Sequence, residues 1–293
     1  MHFLILSVLS STAIFIIFKI LELVKLPSFP VILLNYLFAA LLGFLLNPVD
    51  FRIKELPDMD WIFISVPIGI LFIIMFFILA RSSQKAGISV TSVAGKMSVV
   101  FPIILSLIIS STDVLSPLKF IAIIMALTGV ALTIIKPGTF TLRIQQFYLP
   151  VILFLGMGLV DSLVKLAQHL FVDDDSTALF SALVFCNAFI SGIIFLLFCP
   201  DYLKWFRQLK IWGYGALLGT ANFGSIFFLV RALNYRNFND SEIDSSIIFG
   251  INNIGIVSLS VLCGMLLFRE QLKIINWIGI ITSATAIILF SLS

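Results

Sequence analysis

Residues 61–80, from Trp61 to Ala80, read WIFISVPIGILFIIMFFILA, twenty in a row without a charge. As a helix rising about 1.5 Å per residue they reach about 30 Å, the thickness of a bilayer's hydrocarbon core. Nine further segments meet that rule or nearly so: Phe3–Ile20, Phe29–Leu46, Ser89–Ser110, Pro117–Ile135, Phe147–Gln168, Leu179–Cys199, Trp212–Arg231, Ser246–Phe268 and Lys273–Phe290. Their apolar residues run continuously instead of alternating, which excludes a transmembrane barrel. Separators such as Asn47–Asp60, Arg81–Gly87, Lys136–Gln146 and Ala232–Ser245 are short and polar. Pro117 suits the first turn of its helix, and Asp175-Ser176-Thr177 suits a cap before the seventh.

Composition says the same. Of 293 residues, 60% are hydrophobic and only 11% charged, with a mean hydropathy of +1.17. A soluble domain is about a quarter charged, and could not wet a surface this apolar. The net charge of +3 is too small and scattered for a nucleic-acid partner. Cys186, Cys199 and Cys263 sit in or beside apolar runs and read as small hydrophobes without a disulfide framework. Lys19 and Lys25 follow the first apolar run, whereas a cleaved signal has its cations in front, so the first helix reads as retained. No Ser-His-Asp arrangement, phosphate loop or metal-ligand spacing occurs, and His2 and His169 are too few and too far apart for a metal. No enzyme and no cofactor is expected. Without an ATP-binding motif, active transport would draw on a solute or ion gradient.

The two halves resemble each other. A slide of 157 sets Asp113 on Glu270, Leu115 on Leu272, Thr128 on Thr285 and Leu132 on Leu289; slides of 150 to 152 set Asn35 on Asn187, Trp61 on Trp212, Phe77 on Phe227 and Arg81 on Arg231. Five crossings is an odd number, so a duplicated unit sits upside down relative to its twin. The expected fold is an all-α integral membrane protein, ten transmembrane helices in two inverted five-helix repeats, residues 1–136 and 147–293. Inverted repeats are a signature of secondary transporters, with the substrate near the midplane. The odd-numbered connections hold eleven Lys and Arg against five in the even-numbered ones, a bias that favours both termini outside.

This pattern resembles the drug/metabolite transporter superfamily, specifically its EamA-like ten-helix members, over the whole chain. The likeness rests on Lys19 and Lys165 near the ends of helices one and six and on Asn35-Tyr36, where many members have Arg-Phe. Pro102 in the fourth helix also matches, as do Asp113 and Glu270 between the last two helices of each repeat. Leu259 stands where a second Pro is expected, and Asn35 where an Arg is, so substrates of Arg-bearing relatives do not transfer. The resemblance implies a carrier of amino acids, other metabolites or amphiphilic drugs, usually an exporter, in a cell membrane such as a bacterial inner membrane. It also implies cytoplasmic termini, against the loop charges; the family topology is the one adopted.

Polar groups in hydrocarbon are costly and usually face the bundle interior or a wet cavity. Lys96, about two turns into its helix, reads as a cation for an anionic substrate group, as the partner of a carboxylate, for which Asp161 is the candidate well inside a helix, or as a side chain snorkelling to the interface. Asp161 and Lys165 are four apart on one helix face and suit an intrahelical pair, with Asp161 the alternative site for proton or sodium coupling. Asn35, Asn187, Asn222, Asn252 and Asn253 offer donors and acceptors for a neutral or zwitterionic solute; their alternative is interhelical glue. The slide sets Asn253 on Lys96 and Asn252 on Gly95, so the halves present different groups at matching depth. Asp173-Asp174-Asp175 reads as a solvated cap, and Asn239-Asp240-Ser241 as a sequon with meaning only in a secretory pathway. The expected function is alternating access between the halves, its partners the bilayer and a small solute. The rivals are a channel-like ion facilitator and a non-transporting scaffold or receptor.

Overall fold

The computed structural model describes residues 2–46, 62–109, 115–134, 144–170, 177–233 and 245–292. Trp61, Asp113, Asp173-Asp174-Asp175, the Asn239-Asp240-Ser241 sequon and the loop cations Arg52, Lys54, Lys136, Arg143 and Arg236 lie outside them. The described chain is all helical, with α1 His2–Leu23, α2 Ser28–Leu45, α3 Ile62–Lys85, α4 Ile88–Met97, α5 Val100–Ile109, α6 Pro117–Ile134, α7 Ile144–Leu170, α8 Thr177–Phe198, α9 Leu209–Leu233, α10 Ser245–Phe268 and α11 Ile274–Ser291. A 3-10 helix, Pro200–Arg207, joins α8 to α9. Ten crossings are long and apolar enough to span a membrane, the fourth made by α4 and α5 together over Ile88–Leu105. The chain is a multi-pass helical membrane protein.

The fourth crossing was expected as one helix over Ser89–Ser110, and it breaks at Ser98 and Val99. Pro102 is the cause. Its nitrogen carries no hydrogen, so the Ser98 carbonyl loses the donor four residues on. Phe101 N–H bonds that carbonyl instead at 3.0 Å, a tighter turn that parts α4 from α5. The ninth crossing has Leu259 at the position the 157 slide gives to Pro102, and α10 runs unbroken through it. Elsewhere the helices outrun the expected bounds: α3 continues to Lys85 through a stretch that reads as loop, and α9 starts at Leu209. α6 begins at Pro117, with the Ser116 hydroxyl accepting from Lys119 N–H at 3.1 Å as a cap.

Successive crossings alternate in direction, so one end of the bundle gathers the α1–α2 and α3–α4 turns, the 3-10 helix and the α10–α11 link. Lys19, Lys25, Lys85, Lys204, Arg207, Lys210, Arg269 and Lys273 collect there; this is the basic end. The major seams are α6 with α11, α2 with α8 and α9, α1 with α9 and α10, α3 with α7 and α8, α4 and α5 with α7, and α4 with α10. Small residues let backbones touch, the usual device where lipid removes the hydrophobic drive between helices. In the α6–α11 seam a Cβ on Gly279 would lie 2.5 Å from Thr133 N and 2.7 Å from the Gly129 carbonyl. Asn276 there donates to the Thr133 carbonyl at 2.8 Å.

The basic end is packed shut. Every residue of α2 from Ser28 to Tyr36 is buried, as is α4 from Ile88 to Ala94. The Tyr36 hydroxyl donates to the Phe72 carbonyl at 2.8 Å, and its ring lies 5.4 Å from Phe76 and 6.1 Å from Phe185.

Gly279→Ala is expected to destabilise the protein by about 1–3 kcal/mol, because rigid backbone meets the new methyl. Gly213→Ala, with nothing within 4 Å of the added carbon, should leave stability unchanged or slightly raised. Thermal unfolding in detergent measures both, and equal melting shifts would contradict the seam described here.

Candidate functional site

The break in the fourth crossing positions a charged pair. Lys96 occupies the last turn of α4, where the helix dipole favours a cation, two residues before Ser98. The Ser98 hydroxyl stands 2.8 Å from Asp161 Oδ2 on α7 and 2.7 Å from the Gly95 carbonyl, with one hydrogen to donate between them. α7 comes close because Gly158 leaves room for the Phe101 ring, which rests 5.1 Å from Phe154. Lys96 and Asp161 are half-buried, and their opposite charges act on each other across the α4–α7 seam. They form no contact ion pair; among the described residues that bond occurs at Lys19–Glu22. Lys96 makes no hydrogen bond to another described residue.

Lys165, one turn beyond Asp161, is exposed and donates to the Pro102 carbonyl at 3.3 Å. In place of the expected pair within α7, Asp161 turns to α4 and Lys165 to α5.

The five amides do not gather round one space. Asn35 is fully buried in the α2–α9 seam, 3.2 Å from both the Leu218 carbonyl and the Asn222 amide. Asn187 donates to the Ser65 hydroxyl at 2.9 Å and ties α8 to α3. These three serve as interhelical ties, since a buried amide is held by the nearest acceptor on a packed neighbour. On α10, Asn252 is buried with Oδ1 unpartnered, and Asn253 is half-buried with no hydrogen bond to another described residue. An amide oxygen without a partner in so apolar a bundle is uncommon. Among the described residues, the polar side chains without a hydrogen-bond partner include Lys96 on α4 and the two amides on α10, the helix packed against it, besides the buried hydroxyls of Thr12, Ser83, Ser260 and Ser283.

A second polar cluster lies at the basic end. Glu270 lies in the α10–α11 link, near the start of α11, but does not cap that helix. It instead accepts from Ile88 N–H at 2.6 Å and from Ser89 N–H and Oγ at 3.1 and 2.7 Å, capping α4. Gly87, at φ +101°, and Gly264 make the room: a Cβ on either would lie 2.7 or 2.6 Å from a Glu270 oxygen. Beside it is a cavity of about 200 Å³ lined by Lys19, Lys85, Gln271 and Asn276 among others. Lys19 donates to Glu22 at 2.7 Å and to the Gln84 carbonyl at 3.0 Å. Among the described residues no group of three His, Cys, Asp or Glu is placed to hold a metal.

Sequence reasoning did not single out Ser98, the reach of Glu270 to α4, or Asn276. The first had a signal, a serine four residues before Pro102; the other two depend on residues far away in the chain.

No family model matches the chain. It is 27% identical over 296 residues to an uncharacterized protein of Haemophilus influenzae, a match covering 98% of this chain and 96% of that relative.

Glu270→Ala would strand the two backbone donors of α4 and the Ser89 hydroxyl. A loss of about 1–3 kcal/mol is expected, read as a lower melting temperature of the detergent-solubilised protein. An unchanged melting point would mean that solvent replaces the carboxylate at no cost.

Proposed function

We propose that the protein is a secondary transporter of the drug/metabolite transporter superfamily, EamA-like in architecture. It moves a small polar metabolite or amphiphilic drug by alternating access between two inverted five-helix repeats, in the export direction that the resemblance implies. The observation that carries the reading is the symmetry of the packing. Exchanging α1, α2, α3, the α4–α5 pair and α6 for α7, α8, α9, α10 and α11 turns the seam of α2 with α9 into that of α8 with α3. It likewise turns α1 with α9 into α7 with α3, and α1 with α10 into α7 with α4 and α5. The seams α2–α8, α4–α10 and α6–α11 map onto themselves.

Side chains follow the same exchange. The Arg81 guanidinium lies 5.1 Å from the Phe77 ring near the end of α3, and Arg231 lies 5.3 Å from Phe227 near the end of α9. With α3 and α9 running oppositely, the matched pairs fall at opposite ends of the bundle, as inversion requires. The contact of Gly69 with Asn187 across the halves has its counterpart in that of Gly219 with Asn35.

Between such halves Lys96, Asp161, Asn252 and Asn253 form the contact surface for solute. A broken helix with unpartnered polar groups at mid-depth is the usual construction of a transporter site. Lys96 supplies a cation, Asp161 a carboxylate for substrate or a coupling proton or sodium, and Asn253 a neutral group opposite. The packed aromatic layer round Tyr36 then closes the basic end of a pathway accessible from the other side.

Counterflow of a labelled metabolite panel into proteoliposomes tests this. A carrier shows uptake driven by unlabelled solute on the far side, whereas a channel-like facilitator does not and a scaffold shows none. Lys96→Ala and Asn253→Ala should each lower uptake of an accepted solute tenfold or more. Unchanged uptake of every accepted solute in both variants would overturn the site assignment while leaving transport itself standing.

A further inference from the structure

At the rim of the basic end lies a separate cavity of about 420 Å³, lined by Val24, Lys25, Leu26, Trp205, Gln208, Lys210 and Tyr214. Its walls come from the α1–α2 turn, the 3-10 helix and the start of α9. That volume is far above the roughly 30 Å³ share of one water. The side chains that line it have one chemical character. Lys25, Lys210 and Trp205 only donate hydrogen bonds, and Gln208 and Tyr214 are able to. None of these five side chains bonds another described residue, and no carboxylate lines the space.

Two features show how the chain arranges this. α1 ends in a Schellman turn, with Leu26 N–H on the Leu21 carbonyl at 3.0 Å and Lys25 N–H on that of Glu22 at 3.1 Å. Its left-handed residue, normally glycine, is Lys25 at φ +54°. The fold accepts strain there and places a long cation at the cavity. The 3-10 helix is held from below: the Tyr202 ring lies tilted 5.1 Å from Phe29, while Trp205 and Phe206 pack on the core. Indole and phenol groups at this level are the usual furniture of a membrane–water interface.

We propose that this cavity binds the phosphate of an anionic phospholipid headgroup, Lys25 and Lys210 bracketing the charge while Trp205, Gln208 and Tyr214 donate to its oxygens. A lipid fits better than a free anion because the cavity opens onto apolar surface. Leu23, Val24, Leu203 and Leu209 are all exposed around it and give acyl chains a wall to lie on. Basic pockets between crossings take lipid headgroups for this reason. The site is independent of the transport reading and holds whatever solute, if any, the bundle carries.

Native mass spectrometry of the full chain in maltoside detergent, titrated with dioleoyl phosphatidylglycerol or dioleoyl phosphatidylcholine, tests it. Retention of the anionic lipid is expected at about tenfold lower concentration than the zwitterionic one. The double variant Lys25→Gln/Lys210→Gln should lose that preference. Lys204→Gln/Arg207→Gln, which removes the same charge from the same rim outside the cavity, should keep it. Equal retention of the two lipids by the unaltered protein overturns the proposal even if a variant fails to fold. Equal loss in the two double variants also overturns it, as diffuse surface charge. Displacement of the lipid by glycerol 1-phosphate at matching concentration overturns the lipid assignment in favour of a soluble anion.

Discussion

Inside hydrocarbon a backbone carbonyl has no water to turn to, so a crossing helix must satisfy itself almost everywhere. Pro102 removes the donor owed to Ser98, and the carbonyl is satisfied instead by a tighter turn to Phe101 N–H. The consequences radiate from there. α4 ends early, and Lys96 falls at a helix terminus whose partial negative charge tolerates a cation at this depth. Ser98, freed from regular helix, reaches Asp161 on α7. A single missing hydrogen thus assembles the charged centre of the bundle.

The remaining polar residues divide by whether a neighbour meets them. Asn35 with Asn222, Asn187 with Ser65 and Asn276 with Thr133 each close one seam, and such ties average about 0.6 kcal/mol in a bilayer. They hold helices in register more than they stabilise. Glu270 takes three donors at once and joins the α10–α11 link to the start of α4. Lys96, Asn252 and Asn253 are left over. The buried hydroxyls of Thr12, Ser83, Ser260 and Ser283 are also without partners, but they are short and neutral; under the proposed transport reading the cation and the two amides are the groups offered to a solute.

The sequence made the crossings legible because a span is a local property: twenty apolar residues are visible without knowing what they pack against. It made the break half-legible. Pro102 was in view, but the expected helix ran through it, because proline in a membrane helix is often accommodated by its neighbours. The amides were illegible for a different reason. Asn35 and Asn253 look alike as polar residues in apolar runs, and only the packing separates a tie from an open contact. Glu270 stands beside the start of α11 in sequence, yet the structure sends it to a helix terminus 182 residues away.

By itself, then, the sequence determined that the chain lives in a bilayer, how many times it crosses and where each crossing lies, since lipid imposes those limits on every short stretch separately. Tertiary structure alone decided which polar groups find partners among the described residues and which do not. That choice rests on contacts such as Ser98 with Asp161, 63 residues apart, which no local pattern encodes.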